Sequence, residues 1–328
     1  MARVAVDLIG AGSPPGDLLG EITAVLDADP RVTLTVVAPT DTVAPVLAEH
    51  GVLEGGRVRL VNASRGVAPG PEALREVRAL REAGVRVAAR LVRDGHADAM
   101  VSVAPLEAVI AAAGFTFGLV PGATRAAAAA VVGPAESPVI LCDAGGSVDV
   151  TADELAQFAL AGACLARVRH GVGAPAVGLL SARPALLDPL RRSAGDLLAS
   201  LGLDLVGPVT ADRLRTRTGV DVVVTDGHTG DVVLSALYPS ARRARPETDP
   251  ACWQANSSDL QGGIIVLGVD GTAVRAGGPA ATAPVGPGAL PEAVRAAVGA
   301  ARAGLSGAVR QAMATLVDRR RELAGLSR

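Results

Sequence analysis

Lysine is absent from this sequence, and its basic side chains are arginine apart from four histidines. That excludes a Schiff-base lysine and a phosphate-binding lysine of the Walker type. Aromatic residues make up only 2% of the chain, so its core must be built from Ala, Val and Leu, with almost nothing to stack on nucleotide bases. A net charge of −2 with no obvious basic face points the same way, to no nucleic-acid partner. The three cysteines, Cys142, Cys164 and Cys252, are too widely spaced for a metal pattern or a disulfide framework, which fits a reducing, cytoplasmic setting. No cofactor and no bound metal are expected. No apolar run reaches the roughly 18 residues of a membrane span. The start, Met-Ala-Arg-Val-Ala-Val-Asp, runs into a strand without a signal-peptide layout.

What the chain does have is a large apolar fraction, 49%, over 328 residues, enough for one large α/β domain or two smaller ones. Its clearest unit spans 137–169. The apolar run Val139-Ile-Leu-Cys142 ends in Asp143, as a buried strand would. Gly145, Gly146 and Ser147 follow, where the backbone can approach a ligand closely. Thr151 then stands three residues before Glu154, the capping-box spacing, and the helix it opens ends at the basic Arg167 and Arg169. Strand, glycine loop and capped helix place 143–149 as the site loop, because helix N-termini at the carboxyl ends of parallel strands favour anions.

Two further strand–turn–helix units resemble it. The first strand, 4–9, runs into Gly10, Gly12 and Ser13 before a helix over 17–26. A dinucleotide fold is the sharper reading there, and a plain β–α turn the blander one, since Pro14 and Pro15 remove two donors. The second is Asp221-Val-Val-Val-Thr-Asp226, followed by Gly227, His228, Thr229 and Gly230. Asp143 and Asp226 each end a strand before a glycine turn; each is either a site carboxylate or a turn and capping acid. Asp149 is either a site acid or the cap of the helix start. His228 is either a general base or a surface histidine. Ser13, Ser102 and Ser147 are each able to donate to an anion.

Around these units the pattern predicts strands at 32–37, 58–61, 99–103, 176–180, near 205 and at 263–269. It predicts helices at 40–50, one long Arg-rich helix at 71–93, one opening at Pro105, and others at 185–201, 292–303 and 305–324. The segment 115–133 reads as irregular, and 242–259 and 277–291 as loops. Strands alternating with helices give an α/β fold with a mostly parallel sheet. In such a sheet the Gly10, Gly145 and Gly227 turns are expected on one edge, facing one cleft.

Asp143-Ala-Gly-Gly-Ser-Val-Asp-Val-Thr-Ala-Asp-Glu-Leu-Ala-Gln-Phe158 resembles the signature of the PlsX family of phosphate acyltransferases. The likeness continues at Ala97-Asp-Ala-Met-Val-Ser102, Val177-Gly-Leu-Leu180, Asp221-Val-Val-Val-Thr-Asp-Gly227 with Thr229-Gly230, Gly262-Gly263 and Leu267-Gly-Val269. It implies one domain over 1–328, a three-layer α/β/α fold with a two-lobed cleft like that of phosphotransacetylases and the isocitrate dehydrogenase group. It implies transfer of an acyl group from an acyl carrier protein thioester to inorganic phosphate by a homodimer. On that reading Asp143 and Asp226 are catalytic; His228 joins them by its residue type, at a position where the family usually has an aromatic or apolar residue. Gly10, Gly12, Ser13, Ser102, Gly145, Gly146, Ser147, Asp149, Gly227, Thr229 and Gly230 bind substrate.

Departures from the family pattern are local. Where it has Ser-Ala-Gly-Asn-Thr-Gly-Ala, this chain has Ser102-Val-Ala-Pro-Leu-Glu-Ala108, so Glu107 replaces a glycine. A late His-Gly-Ser-Ser is here Gly277-Gly-Pro-Ala280, and the segment 236–260, apolar and longer in the family, carries Arg242, Arg243, Arg245 and a lone Trp253. No stable membrane insertion is therefore expected. The departures raise an alternative: a homologue with reduced or no phosphate acyl transfer, working as a repurposed acyltransferase or as a partner of a carrier protein or another subunit. The dimer is expected through apolar positions of the last two helices, Val294, Val298, Leu305, Val309, Met313 and Leu316.

Overall fold

The structure, a computed structural model, describes residues 1–10, 15–49, 51–53, 55–133, 136–216, 219–237, 260–278, 285 and 288–326. Its first half runs β1 (Ala2–Asp7), α1 (Leu19–Ala28), β2 (Val32–Ala38), α2 (Thr40–Glu49), β3 (Val58–Asn62), α3 (Ala73–Ala79), α4 (Gly84–Arg93), β4 (Ala99–Ser102), α5 (Leu106–Phe117), β5 (Ala127–Val132) and β6 (Val139–Cys142). The second half runs α6 (Ala152–His170), β7 (Ala176–Leu180), α7 (Pro189–Ala199), β8 (Asp204–Val209), α8 (Arg213–Thr216), β9 (Val222–Val224), α9 (Gly227–Leu237), β10 (Leu260–Leu267), β11 (Ala273–Arg275), α10 (Ala289–Arg302) and α11 (Leu305–Leu326).

The strands form one 11-stranded sheet in the order β3-β2-β1-β4-β11-β10-β5-β6-β9-β7-β8. Helices cover both faces, which is why the central strands are apolar on both sides. On one face a single apolar cluster joins the sheet to α1, α6, α10 and α11. The other face carries two clusters. One lies under α3, α4 and α5, and the other surrounds β5, β6 and β9 with Leu214 and Leu234. Ile110 of α5 packs against both. A seam runs between those two clusters.

Helix α6 is buried almost all round, from Glu154 to Ala166, as an apolar central helix must be. Its start is the capping box expected from the sequence: Glu154 N donates to Thr151 Oγ1 (3.2 Å) and Thr151 N donates to Glu154 Oε2 (2.8 Å). Gly171, in the left-handed region, ends it.

Three expectations need correction. The long helix at 71–93 is two helices, with Ala83 in extended conformation between them. The break places Gly84 where a Cβ would stand 2.2 Å from Asp7 Oδ1, so α4 starts by packing its backbone on a buried acid. Within 115–133, taken as irregular, lies β5, all six residues buried. Its Ala-Ala-Ala-Ala-Val-Val sequence has little strand propensity, and tertiary pairing decides it.

The third correction concerns the edges. All pairings are parallel except β11–β10, β10–β5 and β5–β6. Three successive reversals point β6, β9, β7 and β8 opposite to β1, β4 and β11. Asp143 and Asp226 do share an edge, where Asp143 N donates to Thr225 O at 3.0 Å. The Gly10 turn lies on the other edge. A twist of about 20–25° per strand swings β6 nearly at right angles to β4, four strands away. That lets α5 reach across from one edge to the other.

Val294, Val298, Leu305, Val309, Met313 and Leu316 are buried in the chain's own core. They offer no face to a second subunit. Gly12, Ser13, Trp253 and the segment 238–259 lie outside the described residues.

Candidate active site

The β6/β9 edge is built around Asp143, which is fully buried. Its Oδ1 accepts from Ala128 N (3.0 Å) and Gly146 N (2.8 Å), tying the start of β5 to the glycine loop. Burial raises its pKa, outweighing those N–H groups and the nearby Ser147 hydroxyl. Its Oδ2 is buried without a partner of hydrogen-bonding geometry. Gly227 N donates to Ser147 Oγ at 3.0 Å. A Cβ on Gly227 would lie 2.4 Å from Ser147 N, and one on Gly230 only 1.9 Å from Asp143 O. These two glycines therefore let α9 rest backbone-to-backbone on the Asp143–Ser147 loop.

Asp226 caps α9: its Oδ1 accepts from Thr229 N and its Oδ2 from Thr229 Oγ1, both at 2.8 Å. Arg191 of α7 reaches Asp226 at 3.5 Å and Asp188 at 2.8 Å. Burial would raise the Asp226 pKa, but the Thr229 donors and the Arg191 guanidinium outweigh it, and the carboxyl sits below its ordinary value. His228, Gly145 and Asp149 are exposed. Thr151, not Asp149, caps α6.

On the opposite edge, Asp7, Ser102 and Arg275 end β1, β4 and β11 in direct register. Parallel strands in register put their side chains on one face of the sheet. All three are buried. Ser102 Oγ donates to Asp7 Oδ2 (2.7 Å), Ile9 N donates to Asp7 Oδ1 (3.0 Å) and Ala104 N donates to Ser102 Oγ (3.0 Å). Burial pushes the Asp7 carboxyl up to about 7 against those two donors. The Arg275 guanidinium donates to the carbonyls of Ala104 and Gly278. Burial lowers its pKa to about 10, and Glu107 opposes the shift.

The two edges meet at the first turn of α5. A Cβ on Gly145 would stand 3.4 Å from Leu106 Cδ2 and 3.6 Å from Asp231 Cβ, and one on Gly146 3.1 Å from Ile110 Cδ1. Glu107 accepts from Gly70 N at 3.0 Å. Its charge also reaches Asp231 of α9, whose carboxyl is raised by burial and by Glu107 against the pull of His228. No side chain caps α5, and Pro105 precedes it. The seam thus gathers two helix N-termini, a buried arginine, a glycine loop and a set of carboxyls. Among the described residues no three His, Cys, Asp or Glu side chains converge as a metal site would need.

Comparison with known proteins shows what this frame belongs to. Residues 2–246 match the family described as "Fatty acid synthesis protein", which is PlsX. The chain belongs to this family. The phosphate acyltransferase of Thermobifida fusca is 33% identical over 303 residues, covering 84% of this chain and 82% of that protein. That of Pseudomonas savastanoi pv. phaseolicola is 32% identical over 236 residues, covering 71% and 69%. Among solved structures, a phosphotransacetylase from Streptococcus pyogenes matches with a TM-score of 0.62 at 18% identity, covering 92% of this chain and 94% of that one. A branched-chain phosphotransacylase from Enterococcus faecalis V583 gives 0.59 at 16% identity, covering 92% and 99%. These two share the three-layer α/β/α fold.

Within this PlsX-family chain the expected site residues divide by edge. Asp143, Ser147, Asp226, Gly227, Thr229 and Gly230 form one connected knot, with Gly145 and Gly146 on the side that faces α5. Ser102 and Gly10 belong to the opposite edge. A Cβ on Gly10 would lie 2.2 Å from Val103 O, so this glycine serves a close backbone approach. Asp7, Glu107, Asp231 and Arg275 were not among the expected site residues. Asp7 had a legible signal, an acid ending the first strand as Asp143 ends the sixth. Arg275 had one too, a charge closing an apolar run, Thr272-Ala-Val-Arg275.

Proposed function

We propose that this chain transfers an acyl group from a thioester to inorganic phosphate, giving acyl phosphate and a free thiol. The observation that carries the reading is its likeness, over 84% of its length, to a protein named phosphate acyltransferase. A phosphate oxygen attacks the thioester carbonyl carbon; the C–O bond forms, the C–S bond breaks, and the sulfur leaves with the electron pair and takes up a proton. Near neutral pH phosphate already carries oxygens without protons, so the attack needs no general base. What the reaction needs is alignment of the two reactants and donors for the oxyanion that develops. The seam offers N–H groups at the first turn of α5 and, in the glycine loop, at Gly145, while Gly146 N is held by Asp143. Asp143 and Asp226 hold that loop and α9 in place through their backbone partners.

The proposal includes acyl carrier protein as the natural thioester, a single two-lobed domain, and a homodimer formed through residues other than those six of α10 and α11. No helix among the described residues is long and apolar enough to cross a membrane; a cytoplasmic location is part of the same proposal. A homologue without transfer, serving only as a binding partner, gains nothing from relatives that bear an enzyme's name. The test is an assay of acyl-carrier-protein thioester with and without phosphate, following free thiol and trapping acyl phosphate with hydroxylamine. Phosphate-dependent release of both products is expected. Thiol release independent of phosphate overturns the reading, and light scattering at micromolar concentration decides the dimer.

A further inference from the structure

Among the described residues, four arginines on one outer face pair with no carboxylate. Arg78 of α3 lies over the Phe115 ring, its guanidinium carbon 4.7 Å from the ring centre. Arg81 follows α3, and Arg86 and Arg90 stand four apart on α4, where they share a face. Arg86 donates to Val77 O (3.0 Å) and Arg90 to Arg81 O, so both reach back across the α3–α4 junction. Carbonyls satisfy these N–H groups and leave the charges standing. The acids of the same stretch are occupied. Glu72 pairs with Arg75, Glu82 with Arg65 and Asp94 with Arg93, while Glu76 accepts from Ala68 N. Burial and the charges of Arg90, Arg81 and Arg93 lower the pKa of Arg86, which sits among them. Like charges gathered in this way oppose folding, and they stand on a chain whose net charge is −2. Leu74, 55% exposed, precedes Arg78 by four residues on α3, and Phe115 beneath Arg78 is 40% exposed.

We infer that this face docks the protein that delivers the thioester, through carboxylates flanking an apolar residue; this rests on the acyltransferase reading. Charge selects the occupant. A second copy meeting this face across a twofold axis would set arginine against arginine. A nucleic acid would find almost no aromatic ring to stack on. An acidic protein surface gives each guanidinium a two-oxygen partner and covers Leu74 and Phe115 at the same time. The place suits delivery. Gly70, ahead of α3, donates to Glu107 in the first turn of α5, and Gly84, at the start of α4, rests on Asp7. The arginine face therefore begins at the β1/β4 edge, and a protein seated on it stands beside the seam.

The experiment compares two thioesters in one assay: an acyl group on an acyl carrier protein of acidic net charge, and the same acyl group on a small thiol. Arg78→Glu combined with Arg81→Glu, both at exposed positions, should raise the carrier-protein KM by roughly 10- to 100-fold and leave the small-thioester KM and kcat unchanged. Arg78→Gln combined with Arg81→Gln should give a smaller rise in the same direction, and decides the matter should the charge reversals fail to fold. The wild-type KM for the carrier protein should climb with salt, as the screening length falls from about 10 Å at 0.1 M to about 3 Å at 1 M, and that for the small thioester should not follow. Equal changes for both thioesters, or none in either, overturn the inference. Titration calorimetry with the carrier protein lacking an acyl group reads docking apart from transfer. Wild-type binding that the paired variants lose upholds the face even where no acyl group moves; the acyltransferase reading alone then fails. No wild-type binding, or binding that the variants keep, refutes the face. Sedimentation with equimolar phosphatidylglycerol and phosphatidylcholine vesicles tests the other anionic surface. Wild type that pellets with them and ignores the carrier protein would assign these arginines to a membrane and overturn the inference.

Discussion

The two edges of the sheet handle Asp226 and Asp7 in opposite ways. At the β6/β9 edge, Asp226 is stabilised as an anion by a helix start and an arginine, while Asp143 is spent on the backbone of the loop. At the β1/β4/β11 edge, Asp7 is sealed under Gly84 with one hydroxyl and one N–H, and burial wins. The first edge is therefore a scaffold of carboxylates that fixes a loop. The second holds an acid whose pKa burial raises to about 7, with a buried arginine two strands away across Ser102. Acids at the ends of strands are thus not equivalent, and the difference lies in what donates to them.

The largest effect that would break this contrast is at the glycines. Gly230→Ala puts a methyl 1.9 Å from the Asp143 carbonyl oxygen, with backbone on both sides and nothing able to rotate away. Its cost should exceed about 3 kcal/mol in urea unfolding, at the upper end for overpacking. Gly84→Ala meets the end of the Asp7 side chain at 2.2 Å, which has some freedom to turn, and should cost about 1–3 kcal/mol. Equal costs would mean that the two edges are equally rigid.

Asp143 comes next. Asp143→Ala removes the acceptor of two N–H groups and should cost about 2–4 kcal/mol. Asp143→Asn keeps an oxygen for Ala128 and Gly146. Its turnover should fall less than tenfold, against the factor of about 10² to 10⁴ expected for a lost general acid or base. A loss of that size in well-folded Asp143→Asn would make Asp143 a catalytic group after all.

The same two acids show how far the sequence could be read. The strand–loop–helix unit at 139–170 was legible because its capping box, glycines and apolar run are local signals. The role of Asp143 was not, because whether a strand-end acid faces a ligand or its own loop depends on where Ala128 lies, fifteen residues away on a strand that alanines disguise. The edge of the Gly10 turn was misread because parallel order was extended through β10 and β5, and no local pattern marks their reversal. Glu107 stood out in the sequence as a carboxylate in place of a glycine; that it lies near Arg275 depends on strand register and on the reach of α5, which no local pattern marks.

A pH series sharpens the contrast at intermediate size. Asp7 has a raised pKa in the folded state, so its contribution to stability is fully present below the unfolded value near 4 and is lost as pH rises through about 7. Asp226 has a lowered pKa, so its contribution is present above the unfolded value and is lost as pH falls below it. Asp7→Asn should therefore gain on the wild type in melting temperature between about pH 4 and pH 8. Asp226→Asn keeps the cap, since Asn caps as well as Asp. It should lose most relative to wild type near neutral pH and converge with it in acid. Parallel curves for the two variants would erase the distinction between the edges.

The smallest effect is expected at His228, the residue whose type most invites a catalytic role. It is exposed in the first turn of α9, a place where a protonated histidine would face the positive end of the helix dipole. The acid it influences is Asp231, and it acts there only to moderate a carboxyl raised by burial and Glu107. Since phosphate carries its own unprotonated oxygen, removing His228 leaves the attack intact. His228→Ala should change stability by less than about 0.5 kcal/mol, as surface substitutions do, and turnover by less than tenfold. A general base would instead cost about 10² to 10⁴ and remove the acid limb from the pH–rate profile. That outcome would move the chemistry onto the β6/β9 edge.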